Sequence, residues 1–398
     1  MKISSPIILS ALLLVGCAAA PKHGPAVDVE MQRLMAAARV PGLALAVIDH
    51  GQVVYRQAYG YADMAAARPL RTDTIMYGAS LTKAAFAYMV MQLVDEQVLS
   101  LDAPLPALLS KPLPDYPAFA DLRDDPRWRL LTPRMLLSHT SGLLNWRFIN
   151  PDGKLDFKYP PGSRYVYSGE GLQILQIVVE ERTGKPLQTL MQKRVFERFG
   201  MRSTSMVWRD DFAGRETTHY GADGAVIAHQ RRSRARAAGS MDTTLDDYAS
   251  FMAGVLRGDG LSARARAEML SPQLAIVSPR QFPSHWPGET AAYRGIGLSI
   301  GLGWPVYNSP LGPAFFKEGN DDGTNNFALG FLQPQSGIVM LSNSSNADRM
   351  FFPAVEHIFG KTCLPWFWMN YIPYDRQVLG SQPVVSPGCG QSAAPLPH

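Results

Sequence analysis

Apolar positions follow a two-residue rhythm at both ends of the chain and a three-to-four-residue rhythm in its middle. Gly42 to Asp49 and Gln52 to Tyr59 read as strands, joined by His50-Gly51 as a hairpin turn. Strand patterns return over Arg294 to Trp304, Ala314 to Lys317, Asn325 to Gln333 and Gly337 to Asn343. Between these ends, Ala84, Ala87, Tyr88, Met91 and Val94 carry helical spacing through the stretch Thr74 to Glu96. Further helices are predicted at Pro133 to Ser138, capped by Thr132, at Leu172 to Arg182, stopped by Gly184, and at Pro186 to Arg198. Asp246 to Arg257, capped by Thr243 or Thr244, completes the middle, and Val29 to Ala38 and Met350 to Phe359 flank the strands. Leu101 to Arg129 is rich in Pro and Asp without periodicity and reads as surface loop. The last 38 residues carry many Pro, Gly and Ser and are expected to wrap the surface. Strands at both ends with helices between them predict an α/β (α+β) domain. Its one sheet is built from N- and C-terminal segments, and a mostly helical domain is inserted over roughly 98–290.

Composition changes this picture little. The 398 residues are 46% hydrophobic and 18% charged, ordinary globular values, and a net charge of +4 is too small to imply a nucleic-acid partner. After the first 20 residues no run of 18 apolar residues occurs, so no membrane-spanning helix is expected. The N-terminus reads as an address. Lys2 precedes an apolar run from Ile7 to Val15, a signal segment over 1–16. Leu14-Val15-Gly16-Cys17 resembles the lipobox of bacterial lipoproteins. That resemblance implies cleavage before Cys17, lipid on Cys17, and an envelope protein facing the periplasm, with Ala18 favouring the outer membrane. A plain secretory signal cut after Ala18-Ala19-Ala20 is the alternative. Residues 17–27 would then be a tether, 28–360 the folded domain and 361–398 a Pro/Gly-rich tail. With Cys17 lipidated, Cys363 and Cys389 remain as an even pair in an oxidising compartment, and a bridge between them is expected.

Candidate chemistry starts at Ser80-Leu81-Thr82-Lys83. A Ser and a Lys three apart share one helix face, and a lysine with a lowered pKa can take the serine proton. Gly78 and Ala79 suggest a tight turn that sets Ser80 near the helix N-terminus, where free N–H groups favour an oxyanion. Alone, S-x-x-K is common on solvated helix faces. Its company carries the case: Tyr167-Ser168-Gly169, Lys317-Glu318-Gly319, and His139-Thr140-Ser141-Gly142-Leu143 between the first two motifs.

In this order these motifs resemble the serine β-lactamase and penicillin-binding-protein superfamily, nearest its class C branch with esterase and D-peptidase relatives. The likeness runs from about Val29 to Phe359. Ala237-Ala238-Gly239-Ser240 with Thr243 to Asp247, and Gly323 to Asn326 with Leu341-Ser342-Asn343, look like further segments of that branch. The resemblance implies a β-lactamase/transpeptidase-like fold with an antiparallel sheet. It also implies Ser80 as the acylated nucleophile, and Lys83 as its proton acceptor or the cation beside it. Tyr167 would partner both, its phenolate stabilised below the ordinary ~10 by two lysines so that it can act as a base. Lys317 would supply one of those charges, and the backbone N–H groups of Ser80 and Asn320 the oxyanion site. Gly169, Gly319 and His139 would line the cleft, His139 bracing its loop by hydrogen bonds. No metal or cofactor is needed.

Two departures matter. The second motif ends in Gly169 where class C enzymes carry Asn, and Glu318 stands where Thr is usual. On a strand Glu318 would point away from Lys317; facing the cleft, it would repel an anionic substrate. Both weaken the case for an efficient lactamase. Other patterns compete. Gly297-Leu298-Ser299-Ile300-Gly301 matches G-x-S-x-G but lacks the helix that a nucleophile elbow requires. Asn320-Asp321-Asp322-Gly323 reads as a hairpin turn before a calcium loop. Arg231, Arg232, Arg234 and Arg236 form either a solvated loop or a rim that attracts carboxylates or phosphates. The expected function is an exported, monomeric serine hydrolase on an ester or amide of a small molecule or peptide, peptidoglycan stem peptides included. Esterase or D-amino-acid peptidase comes before β-lactamase. No nucleic acid is involved, and the membrane is met only through the lipid. The alternative is a non-catalytic peptide- or peptidoglycan-binding lipoprotein on the same scaffold.

Overall fold

A computed structural model describes residues 20–376 and 389; the signal segment, the lipobox and Cys17 lie outside the described residues. The hairpin forms as expected. Gly42–Asp49 and Gln52–Asp63 pair antiparallel around His50 and Gly51, both at positive φ (47° and 70°), the twist that a two-residue hairpin turn requires. Among the described residues the sheet has nine strands, in the order Arg68–Pro69, Gln52–Asp63, Gly42–Asp49, Ser336–Ser342, Thr324–Phe331, Gly312–Asp321, Pro305–Ser309, Ser299–Ile300 and Leu274–Ala275. Every neighbouring pair is antiparallel. N-terminal and C-terminal segments meet where Gly42–Asp49 pairs with Ser336–Ser342, and most of the helices lie between them along the chain.

Alternation sorts the sheet's side chains into two cores. Ala44, Ala46, Ile48, Val339 and Leu341 face the helical part. Leu43, Leu45, Val47, Ile338 and Met340 face the helices Pro25–Ala38 and Asp348–Phe359. The helix Leu81–Asp95 runs through the centre of the helical side. Its residues Leu81 to Leu93 are all buried, so it shows no polar stripe and is held by packing on every side.

Four expectations are corrected. Leu101 to Arg129 is no surface loop: Leu105, Leu113, Phe119, Leu122 and Trp128 are buried in the helical core, spaced by short turns of helix too brief to show a period. Arg294 to Trp304 is no single strand. Gly297 and Gly303 at positive φ break it around the two-residue strand Ser299–Ile300, and Pro305–Ser309 pairs instead. The helix Ala263–Leu270, capped by Ser262, went unforeseen because its alternating Arg and Ala offer few apolar positions. The C-terminal segment does not merely wrap the surface: Leu364, Trp366, Phe367, Trp368, Met369 and Tyr371 are buried against the outer face of the sheet.

Cys363 and Cys389 form the expected disulfide, spanning 26 residues. A loop of that length stabilises the folded chain by about 3 kcal/mol on the chain-entropy account. Reduction, or Cys363→Ser with Cys389→Ser, is expected to lower the calorimetric melting temperature by several degrees. An unchanged melting curve would show that the buried aromatics hold the segment without the bridge.

Candidate active site

Segments far apart in the chain converge on Ser80. The turn before it is tight: Gly78 N–H donates to the Met241 carbonyl (2.8 Å), and Ala79 sits at φ 45°. A left-handed alanine costs about 1–2 kcal/mol and persists only where its surroundings impose it. Ser80 then stands at the N-terminal edge of the helix Leu81–Asp95, with Lys83 one turn on. Lys83 is 1% exposed, and its Nζ lies 2.9 Å from Ser80 Oγ while also donating to the Ala238 carbonyl. Burial, then the Lys317 charge, hold its pKa well below the ordinary lysine value, against the opposing pull of Glu318 and Asp321.

Tyr167 arrives on the loop ahead of the helix Gly169–Thr183. His139, at φ 54°, accepts the Ser168 N–H on Nδ1 (3.1 Å) and stacks on the Tyr167 ring at 4.5 Å. Phe282 meets the same ring edge-on at 5.2 Å. Ser168, the middle of the motif, is structural: its Oγ caps the helix by accepting the Gly171 N–H and donates to the Leu144 carbonyl. Tyr167 lines the same cavity as Ser80, and its hydroxyl accepts from Lys317 Nζ at 3.3 Å. Its pKa, however, lies well above 10, raised by burial and then by the Glu318 charge. The expected low-pKa phenolate is not what this environment favours: burial and the Glu318 carboxylate both push the Tyr167 hydroxyl up, beside Lys317 though it stands.

That carboxylate belongs to the strand Gly312–Asp321. Alternation sets Glu318 on the face of Ala314 and Phe316, away from Lys317, yet its Oε1 accepts from Lys317 Nζ at 2.6 Å. Gln281 Nε2 donates to the same oxygen at 2.6 Å. Gly319 is fixed by contact, since a Cβ there would lie 2.6 Å from the Gly78 carbonyl oxygen. Gly319→Ala is therefore expected to push the strand off the Ser80 turn and lower kcat/KM about a hundredfold, with about 1–3 kcal/mol lost in denaturant titration. Asn320 follows. The register pairs Asp321 with Thr324 across a two-residue turn, so Asn320 and Asn325 form the next, non-hydrogen-bonded pair, and the Asn320 N–H points away from Thr324–Phe331.

The resulting cavity, about 150 Å³, is lined by Ser80, Tyr167, Glu318, Asn320, Trp146 and Phe282 among others, with Lys83 and Lys317 beneath. Gly169, Gly319 and His139 do not line it, a correction; they are buried behind the residues that do. Asn145, Trp146, Phe282 and Asp321 line it without having been foreseen, because no local pattern links them to Ser80. Gly169 has no room for a side chain: a Cβ would stand 2.9 Å from Asn145 Oδ1, which accepts the Gly169 N–H.

A second groove of about 460 Å³ shares Tyr77, Trp146, Gly239 and Asp321 with the cavity and carries Arg232, Arg234 and Arg236. The arginine run divides. Arg231 pairs with Glu216 and Arg232 lies over the Tyr77 ring, whereas Arg234 and Arg236 are exposed and form no ion pair among the described residues. Ser299 of G-x-S-x-G donates its hydroxyl to the Gly297 carbonyl just ahead of its strand, and no helix follows it. Among the described residues no group of three or more His, Cys, Asp or Glu is placed to hold a metal ion.

The chain is similar to known proteins in sequence and in fold. The esterase EstB of Burkholderia gladioli is 34% identical over 207 residues, 45% of this chain and 50% of that protein. The lovastatin esterase of Penicillium rubens is 29% identical over 347 residues, 77% of this chain and 82% of that one. The chain thus spans half of the first relative's length and most of the second's. The octameric penicillin-binding protein homologue of Pyrococcus abyssi shares the fold at a TM-score of 0.69, with 21% identity over 84% of this chain and 77% of its own. A beta-lactamase family model matches residues 27–358, from the first helix through the last and across every segment that meets at Ser80, and the chain belongs to the beta-lactamase family of serine hydrolases.

Proposed function

We propose that the protein hydrolyses an ester or amide of a small molecule or short peptide through an acyl-enzyme on Ser80. One observation carries the reading: a buried lysine amine, its pKa driven down, lies 2.9 Å from a serine hydroxyl that opens on a cavity. Neutral Lys83 takes the Ser80 proton as Oγ bonds to the carbonyl carbon. The oxyanion is held by the N–H groups of Ser80 and Asn320. Lys83 returns the proton to the leaving oxygen or nitrogen, with the protonated Tyr167 hydroxyl as relay, and the bond to the leaving group breaks. Water then attacks the acyl-enzyme, Lys83 taking its proton and Ser80 recovering one on departure. Lys317 holds the Tyr167 hydroxyl in place.

Carboxylesterase or D-amino-acid peptidase activity fits better than β-lactamase activity. The relatives with esterase names and the buried Glu318 carboxylate, hostile to a β-lactam carboxylate, support that order. The Cys17 lipobox and the disulfide, which needs an oxidising compartment, support a lipid-anchored protein facing the periplasm, with peptidoglycan stem peptides as candidate substrates. To test this, the folded domain is mixed separately with a p-nitrophenyl ester, a penicillin and a D-Ala-D-Ala peptide, and intact mass and product release are followed. Turnover or a covalent mass gain is expected with the ester or the peptide and weakly if at all with the penicillin. No adduct and no product from all three would favour the binding-protein alternative.

A further inference from the structure

The charged side chains on the wall of the catalytic cavity are both acidic, Glu318 and Asp321. Glu318 is the built one. It is 2% exposed, its Oε1 already accepts from Lys317 Nζ and Gln281 Nε2, and its Oε2, equally buried, accepts from nothing. A buried carboxylate oxygen without a donor is costly, so such an atom on a residue that lines a substrate cavity calls for a donor to complete it. Lys317 cannot, because its ammonium is committed to Oε1, to the Glu318 backbone carbonyl at 2.9 Å and to Tyr167. Lys83 is turned to Ser80 and the Ala238 carbonyl.

We propose that Glu318 Oε2 is the receptor for a substrate ammonium, so that the preferred substrates are esters or amides of amino acids with a free amine near the scissile carbonyl. This rests on the Ser80 reading and adds its substrate class. Lys317 Nζ answers one oxygen of the Glu318 carboxylate, and a substrate ammonium would answer the other. A carboxylate in the same place would face Oε2 with no donor between them, which excludes acidic acyl groups there.

The test is an isosteric series of benzyl esters: alanine and β-alanine, isobutyrate with a methyl in place of the ammonium, and methylmalonate monoester with a carboxylate there. Benzyl alcohol release is measured for the wild-type protein, Glu318→Gln and Ser80→Ala. For the wild type, kcat/KM should be about ten- to a hundredfold higher for one of the amino esters than for isobutyrate, as expected of a charge-assisted hydrogen bond, and lowest for methylmalonate. That preference should fade as pH rises through the amine's pKa of about 8. Glu318→Gln should reduce the amine-to-methyl ratio to within about threefold of unity; being a ratio within one protein, it does not depend on how much of the variant folds. Equal rates for ammonium and methyl esters in the wild type, or an unchanged ratio in Glu318→Gln, would overturn the inference and leave the Ser80 reading standing. Turnover surviving in Ser80→Ala, or none in the wild type, would remove that reading and this one with it.

Discussion

Ser80→Ala is expected to abolish turnover of every ester or amide that the wild-type protein cleaves, by a factor on the order of 10⁴ or more, because removing an acylated nucleophile leaves only binding and oxyanion stabilisation. The covalent mass gain should vanish with it. Folding should not suffer. The Ser80 side chain makes no capping bond to its helix, and its hydroxyl accepts from Lys83 within the site. Lys83 keeps the Ala238 carbonyl as a partner in the variant. A melting temperature within about 2 °C of wild type is therefore expected. The decisive comparison is adduct mass against melting curve: loss of both would mean a misfolded variant, and retention of the adduct would place the nucleophile elsewhere.

Lys83→Ala should lower kcat about a thousandfold, the scale on which a positioned acid–base group contributes. The pH profile tells which group is the base. Burial and Lys317 lower the Lys83 pKa, so the neutral, proton-accepting form is reached below the ordinary lysine range. As pH rises through that value, kcat/KM should climb to a plateau. Burial and Glu318 raise the Tyr167 pKa, so its hydroxyl stays protonated across the plateau and adds no limb of its own below about pH 10. Tyr167→Phe should then lower the plateau by about a hundredfold with the rising limb in place. If the limb disappeared in Tyr167→Phe and survived in a Lys83 variant, the tyrosine would be the base after all.

Much of the site was legible because its motifs are local. Ser80 and Lys83 share one turn of one helix, and the three-residue spacing alone puts them on one face. Tyr167 and Lys317 were found by motif order and not by any property of their own. Asn145, Trp146 and Phe282 were invisible: they reach the cavity from loops whose positions depend on what those loops pack against. The helix Ala263–Leu270 and the core residues of Leu101 to Arg129 were missed for a related reason. Their few apolar side chains have meaning only against a partner surface.

By itself, then, the residue pattern determined the sheet of N- and C-terminal segments, the central helix with Ser80 at its head, and the Asp322-Gly323 turn that closes the third-motif hairpin. Periodicity and turn chemistry act between near neighbours, where the chain's covalent geometry is enough. Only the tertiary structure decided the electrostatics. Alternation along the strand turns Glu318 away from Lys317, but packing beside Gln281 brings its carboxylate back onto the Lys317 ammonium. The depth of burial of Lys83 and Tyr167 moves their pKa values in opposite directions. Desolvation and charge pairing depend on every group that surrounds a site, and those groups come from segments that no spacing along the chain relates.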